Sequence, residues 1–145
     1  MDSLKERKQM SWQGWFYAIQ RIDLLIISIC GAGIYVILET LKFSKTNPLE
    51  SLTLIKGAGA LFVLSIVVNF ISQFTGKSAN EMDMKMCQAK LDAGQKPNKK
   101  QAKEITKCDD LADIYTKWTN ALNLISMITM LVALISLILY FLFSF

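Results

Sequence analysis

The sequence predicts an all-α membrane protein with three transmembrane helices and a helical hairpin extending the second and third spans, and three charge-free runs carry that prediction. Trp118 to Phe145 is 28 residues without a charged side chain, Gly57 to Gly76 is 20 and Leu24 to Leu38 is 15. A hydrocarbon core about 30 Å thick needs roughly 20 apolar residues at 1.5 Å each, so the two longer runs span a bilayer outright. The shortest run reaches the same length if Arg21 and Lys42 snorkel toward the headgroups and Asp23 and Glu39 lie near the interfaces, giving a span over about residues 22–41. It does not read as a signal peptide, because the region before it is long and no A-x-A-like site follows Gly31-Ala32-Gly33.

Composition bounds what else the chain holds. Hydrophobic residues make up 52 % and charged residues 19 %, and the charge is concentrated in the N-terminal tail and in Lys77 to Lys117. The 145 residues divide into an amphipathic or interfacial N-terminal helix (1–21), a transmembrane hairpin (22–76, spans about 22–41 and 57–76), a cytoplasmic helical hairpin (77–117) and a third transmembrane helix (118–145). No length remains for a separate enzyme domain.

Orientation follows from the 16 Lys and Arg residues. The tail to Arg21 and the 77–117 segment carry most of them, and with three spans these lie on one side. The positive-inside rule makes that side cytoplasmic, with an external C-terminus, in a multi-pass inner (plasma) membrane protein. The short external loop, with Asn47-Pro48, suits a turn. Tyr140 and the last three Phe residues read as an aromatic belt at the outer interface.

In the tail, Trp12, Trp15 and Phe16 fall on one helical face with Ile19, behind a basic stretch and with Ser11 as candidate N-cap. They read as membrane-interface anchors on a helix lying in the headgroup layer, or as a packed extension of the first span. Aromatics beside a span explain the basic residues without nucleic acid. Membrane lipids are the expected contact.

The connector is helical in pattern from Lys77 to Ala93, ends at Gly94 with a stop at Pro97, and is helical again from Asn98 onward. Two long helices, Gly57 to Ala93 and Asn98 to Phe143, are expected to turn at Pro97. Their apolar stripes are thin: Met82, Met86 and Ala89, with Met84, Cys87 and Leu91 beside them, on one arm, and Ile105, Cys108, Leu111, Ala112 and Tyr115 on the other. A lone hairpin with so little apolar surface is marginal in water, which points to a homo-oligomer. Met82, Met86, Ile105 and Tyr115 form the candidate surface for a cytoplasmic protein partner, since Met-rich stripes are adaptable. Cys87 and Cys108 stand almost symmetrically about Pro97 and read as small apolar residues of the seam rather than a redox pair.

Catalysis lacks its usual parts. There is no His, no G-x-S-x-G, no G-x-x-x-x-G-K and no carboxylate pair inside an apolar run, so the chain is not expected to be an enzyme. Three cysteines without histidine make no metal set, and no cofactor motif is present. Asp109, Asp110 and Asp113 sit within helical reach of Lys103, Lys107 and Lys117 and read as a solvated face.

The polar content of the spans is the remaining lead. Ser65, Asn69, Ser72 and Gly76 fall at i, i+4, i+7 and i+11 with Gln73 adjacent, and Asn120, Asn123, Ser126 and Thr129 repeat every three residues in the third span. Such groups either pair between helices of one subunit, pair between subunits, or line a water-filled pore. Gly31, Gly33 and Gly57 to Ala60 offer small residues for close helix approach.

With the stripe Ser65-Ile66-Val67-Val68-Asn69-Phe70-Ile71-Ser72-Gln73, a helical connector and a terminal helix opening Trp118-Thr119-Asn120-Ala121-Leu122-Asn123, the chain resembles the SLATT-type effectors over most of its length in pattern. The resemblance implies a small oligomeric membrane protein of bacterial conflict or anti-phage defence. Its expected action is to form a pore or perturb the membrane under control of the cytoplasmic hairpin. The alternative is a membrane-embedded immunity protein or anchor that binds a partner through that hairpin.

Overall fold

The computed structural model describes residues 2–44, 52–94 and 98–144, with side-chain surroundings given from Tyr17 onward except at 18, 44 and 144. Three helices follow in order: α1 (Asp2–Ser44), α2 (Leu52–Ala93) and α3 (Lys99–Ser144). Each contains a stretch long and apolar enough to cross a membrane: Ile19–Phe43 within α1, and stretches within Leu52–Ala93 and Lys99–Phe143. The expectation of an all-helical chain with three such helices holds. The turn at Asn47-Pro48, the stop at Pro97 and Phe145 lie outside the described residues, as do the side chains of Trp12, Trp15 and Phe16.

Helix boundaries correct three details. Ser11 does not cap a helix, because α1 starts at Asp2 and runs through it; the residues ahead of Ser11 are mostly good helix formers with no Pro. Similarly, α2 starts at Leu52 rather than Gly57, since Leu52 and Ile55 are apolar and continue the inward face, while Lys56, the residue after Ile55, points outward and is exposed. The last helix begins at Lys99 behind Asn98, whose Oδ1 accepts the Gln101 N–H at 2.8 Å while Gln101 Oε1 accepts the Asn98 N–H at 3.0 Å. This reciprocal capping box satisfies two otherwise orphan donors. At the other side of the turn Gly94 has φ +61°, the left-handed conformation a helix-terminating glycine supplies without a Cβ clash.

The chain falls into two compact units: Met1–Ile66 with Met127–Phe145, and Val67–Ser126. The first has an apolar core of Ile26, Cys30 and Ile37 from α1, Ile55, Ala58 and Phe62 from α2, and Met130, Ala133, Leu137 and Tyr140 from α3. On α2 and α3 these residues recur at intervals of three and four, the 3.5-residue repeat that keeps one seam facing its neighbours. Close approach depends on glycine. A Cβ at Gly33 would lie 2.5 Å from the Phe62 ring, and one at Gly59 would lie 3.5 Å from Ile37. Gly31 and Gly57 face open space, so of the four glycines expected to permit close approach two do so.

Tyr140 is a further correction. It is 1 % exposed and sits in this core, with its ring edge-on to Phe141 at 5.5 Å, rather than in a lipid-facing belt. Its place in the three-and-four repeat with Met130, Ala133 and Leu137 turns it inward. At the end of α1, Lys42 and Glu39 pair with each other at 2.6 Å, and the Arg21 guanidinium lies 5.6 Å from the Tyr17 ring centroid. Both basic residues flanking the first span thus have local partners.

Candidate functional site

The second unit, Val67–Ser126, carries the polar residues singled out from the spans. The α2 repeat continues from its apolar part into polar residues: Asn69 and Ser72 are buried, at 0 % and 1 % exposure, and Gly76 lies against Thr119, where an added Cβ would meet the Thr119 methyl at 3.4 Å. Period alone turned these groups inward, as it does Ile55 and Phe62 on the same helix.

Across from them, α3 supplies the partners. Ser72 Oγ meets two acceptors, the Thr119 carbonyl oxygen at 3.1 Å and the Asn123 carboxamide oxygen. One hydroxyl proton serves one of them at a time. Thr119 Oγ1 donates to Thr75 Oγ1 at 2.9 Å and shares its proton with the Tyr115 carbonyl at 2.8 Å, while Thr75 Oγ1 donates back to the Ser72 carbonyl at 2.8 Å. Gln73 Nε2 covers the Asn69 carboxamide oxygen at 3.0 Å. Four side chains from two helices thus form one connected seam.

Every predicted polar residue has a definite place. Ser65 belongs to the first unit, fully buried, with its hydroxyl hydrogen-bonded to the Cys30 thiol. Asn69, Ser72, Asn123 and Ser126 belong to the second unit, with Ser126 fully buried and Asn123 half-buried. Gln73 and Asn120 are exposed and Thr129 is half-buried. The scatter along α3 has a geometric cause: a three-residue step turns the helix about 300°, so residues in that series drift by about 60° at each repeat and cannot share a face. Thr75 and Thr119 were not foreseen. The signal for Thr119 was its position four residues before Asn123 on the same helical face.

Below the seam, toward the turn, the interior of the unit is apolar. Met86 is 8 % exposed and Ala79 is also buried, while Met82, Ala89, Ile105, Cys108, Leu111, Ala112 and Tyr115 are half-buried. Of the four residues of the candidate partner surface, Met86 is thus buried and Met82, Ile105 and Tyr115 are half-buried. What the arms show outward is different: Met84 is 72 % and Leu91 77 % exposed, with Cys87 exposed between them. Cys87 and Cys108 are free thiols. The outer surface is otherwise charged, with a Glu81–Lys85 pair at 2.8 Å and Asp109, Asp110 and Asp113 exposed on α3. The salt bridge lowers the Glu81 carboxyl below its ordinary range, through the Lys85 hydrogen bond first and its charge second, and raises Lys85 in return.

Among the described residues no group of three or more His, Cys, Asp or Glu is placed to hold a metal ion. A groove of about 560 Å³ in the first unit is lined by Thr53, Leu54, Gly57, Ala58, Leu61 and Ser136. It is largely apolar, and the Ser136 hydroxyl is already donated to the Val132 carbonyl at 2.8 Å. The seam is the arrangement with chemistry to offer: hydroxyls and carboxamides in charge-free segments, ending where Lys77 and Lys117 begin the charged connector. Comparison with models of known families, with curated proteins and with solved structures finds no match to this chain.

Proposed function

We propose that this protein is a small, oligomeric membrane effector that forms a pore or perturbs the bilayer, controlled through the 77–117 hairpin. The N-terminus and the hairpin lie in the cytoplasm and the C-terminus outside the plasma membrane. The Lys and Arg distribution supports that orientation. The setting, bacterial conflict or anti-phage defence, rests on the resemblance to SLATT-type effectors.

The observation that carries the reading is the Ser72–Thr75–Thr119–Asn123 seam. Interhelical hydrogen bonds of this kind average about 0.6 kcal/mol in a membrane bundle, and water replaces each at nearly equal enthalpy. A polar seam can therefore part and become wet at a cost that an apolar seam of equal area could not meet. Paired, its groups close the bundle; parted, they line a neutral passage with little charge selectivity. Both α2 and α3 are single helices from connector to span, so an event on the connector acts on the same helices that form the seam.

The test is leakage from liposomes holding a small dye and potassium, at protein densities where the protein is multimeric. Leak that falls sharply in Asn123→Leu and Asn69→Leu supports the pore. Vesicles that stay tight at every density sink it. A second reading, an anchor or immunity protein, is favoured by the open Met84 and Leu91 side chains, a ready surface for a partner. It predicts a tight vesicle and unchanged function in Asn123→Leu.

A further inference from the structure

One face of α2 is left unused by its own unit. Opposite the inward Ala79, Met82 and Met86 stands a second series, Lys77, Asn80, Met84, Cys87 and Leu91, spaced three, four, three and four and all exposed. Alternating intervals of three and four are the 3.5-residue repeat of helices that wind around one another. Met84 and Leu91, at 72 % and 77 % exposure, are apolar side chains in a segment whose Glu81, Asp83, Lys85, Lys90 and Asp92 place it in water rather than lipid. Apolar side chains grouped on such a face mark an interaction site.

We infer that this face pairs with the same face of a second copy, as a short parallel coiled coil with each residue of the series opposite its twin. The inference rests on the oligomeric reading above and names the surface that makes the oligomer. Three observations choose a second copy over another partner. A heptad series is complementary to an identical helix, whereas a groove-bound helix needs a concave acceptor. Copies inserted with one topology hold their α2 helices in the same direction at the same depth, so the register is supplied by the membrane. The flanking residues also agree with it: in parallel register Asp83 faces Gln88 across the pair, so no like charges are opposed there. Asn80, a polar residue within the series, fixes that register by finding its twin. Lys77, where the series meets the lipid headgroups, turns its ammonium outward along the headgroup layer.

The native Cys87 makes the test direct. In a full-length Cys30→Ala, Cys108→Ala background, reconstituted in liposomes, Cys87 of each copy faces its twin and mild oxidation yields a covalent dimer. A matched chain with Cys87→Ser and Lys103→Cys moves the thiol to the outward face of α3. The expected result is dimerisation about a hundredfold faster at Cys87, the gain that held proximity gives over chance encounter, and its loss in Met84→Glu, an exposed position whose change leaves helicity intact. Equal rates at the two positions would overturn the inference. So would a multimer by native mass spectrometry in which Cys87 fails to cross-link, or a Cys87 adduct with an unrelated protein in cells. Leakage measured on the same samples separates the two claims: leak without Cys87 dimers ends this inference alone, and Cys87 dimers in tight vesicles end the pore reading alone.

Discussion

In the first unit α1 and α2 meet where Gly33 admits the Phe62 ring and where Ile37 covers Gly59, contacts with no polar atom in them. In the second, α2 and α3 meet through Ser72, Thr75, Thr119 and Asn123. Lipid tails are as apolar as leucine, so the first kind of contact gains nothing from leaving lipid and depends on shape alone. The second kind depends on donors and acceptors, which water can replace. The glycine–aromatic contacts of the first unit are stabilised by fit that nothing else supplies, although a buried Ser65–Cys30 hydrogen bond lies beside them, whereas the Ser72–Asn123 seam of the second is held by bonds that solvent can take over.

The largest way to break this contrast lies in the apolar unit. Phe62→Ala should cost about 3 kcal/mol, the usual result of emptying a close-packed aromatic site, read from denaturation in mixed micelles. Gly33→Val, which forces a branched Cβ into the ring's space, should cost about 2 kcal/mol. Combining Gly33→Ala with Phe62→Leu should cost less than the sum of the single changes, because each relieves the other; strict additivity would show that the two positions do not touch.

A smaller change tests the polar unit. Ser72→Ala should cost about 1 kcal/mol or less in a bilayer, and should raise leakage, since it removes the hydroxyl that faces both Thr119 and Asn123. A loss as large as that of Phe62→Ala would erase the contrast. Smaller again is Asn98→Ala, which removes the capping box at the start of α3 and should lower stability by about 0.5–1 kcal/mol, with the loss concentrated in amide exchange near residues 98–102.

Smallest is the Glu81–Lys85 pair on the exposed surface. Because Glu81 is lowered, its contribution is present above the unfolded carboxyl value of about 4.3 and lost as pH falls through the lower folded value; because Lys85 is raised, its contribution is present below about 10.4 and lost as pH rises through the higher folded value. The pair therefore acts between roughly pH 4.5 and 10.5. Glu81→Gln should shift hairpin melting less than Asn98→Ala does, and the shift should vanish in about 1 M salt. A shift that survives that salt would mean the pair is not solvent-screened.

The sequence showed helices and spans plainly because charge-free length is a strong signal, and it showed the inward stripe Ser65–Asn69–Ser72 because its 3.5-residue repeat is regular. It could not show which of Gly31 and Gly33 meets Phe62, since neighbouring glycines differ by about 100° in direction and only the partner helix selects one. Nor could the Asn120-to-Thr129 series be trusted as a face, for the drift described above. Thr119 was overlooked because a threonine beside the charged connector looks like boundary chemistry until its four-residue step to Asn123 is followed. Asn98-x-x-Gln101 was readable as a capping box. The division of Met82 from Met84 was less so, because on thin stripes adjacent faces carry nearly the same residues.

The Tyr140 hydroxyl is buried and meets no acceptor among the described residues. A phenol with an uncommitted proton stretches at higher frequency than one donating to water, so this ring reports dryness. In a Tyr17→Phe, Tyr35→Phe, Tyr115→Phe chain, the remaining tyrosine of the four becomes an optical gauge built into the apolar unit. A leaking vesicle whose gauge does not move would place the water elsewhere along the helices, without any added label.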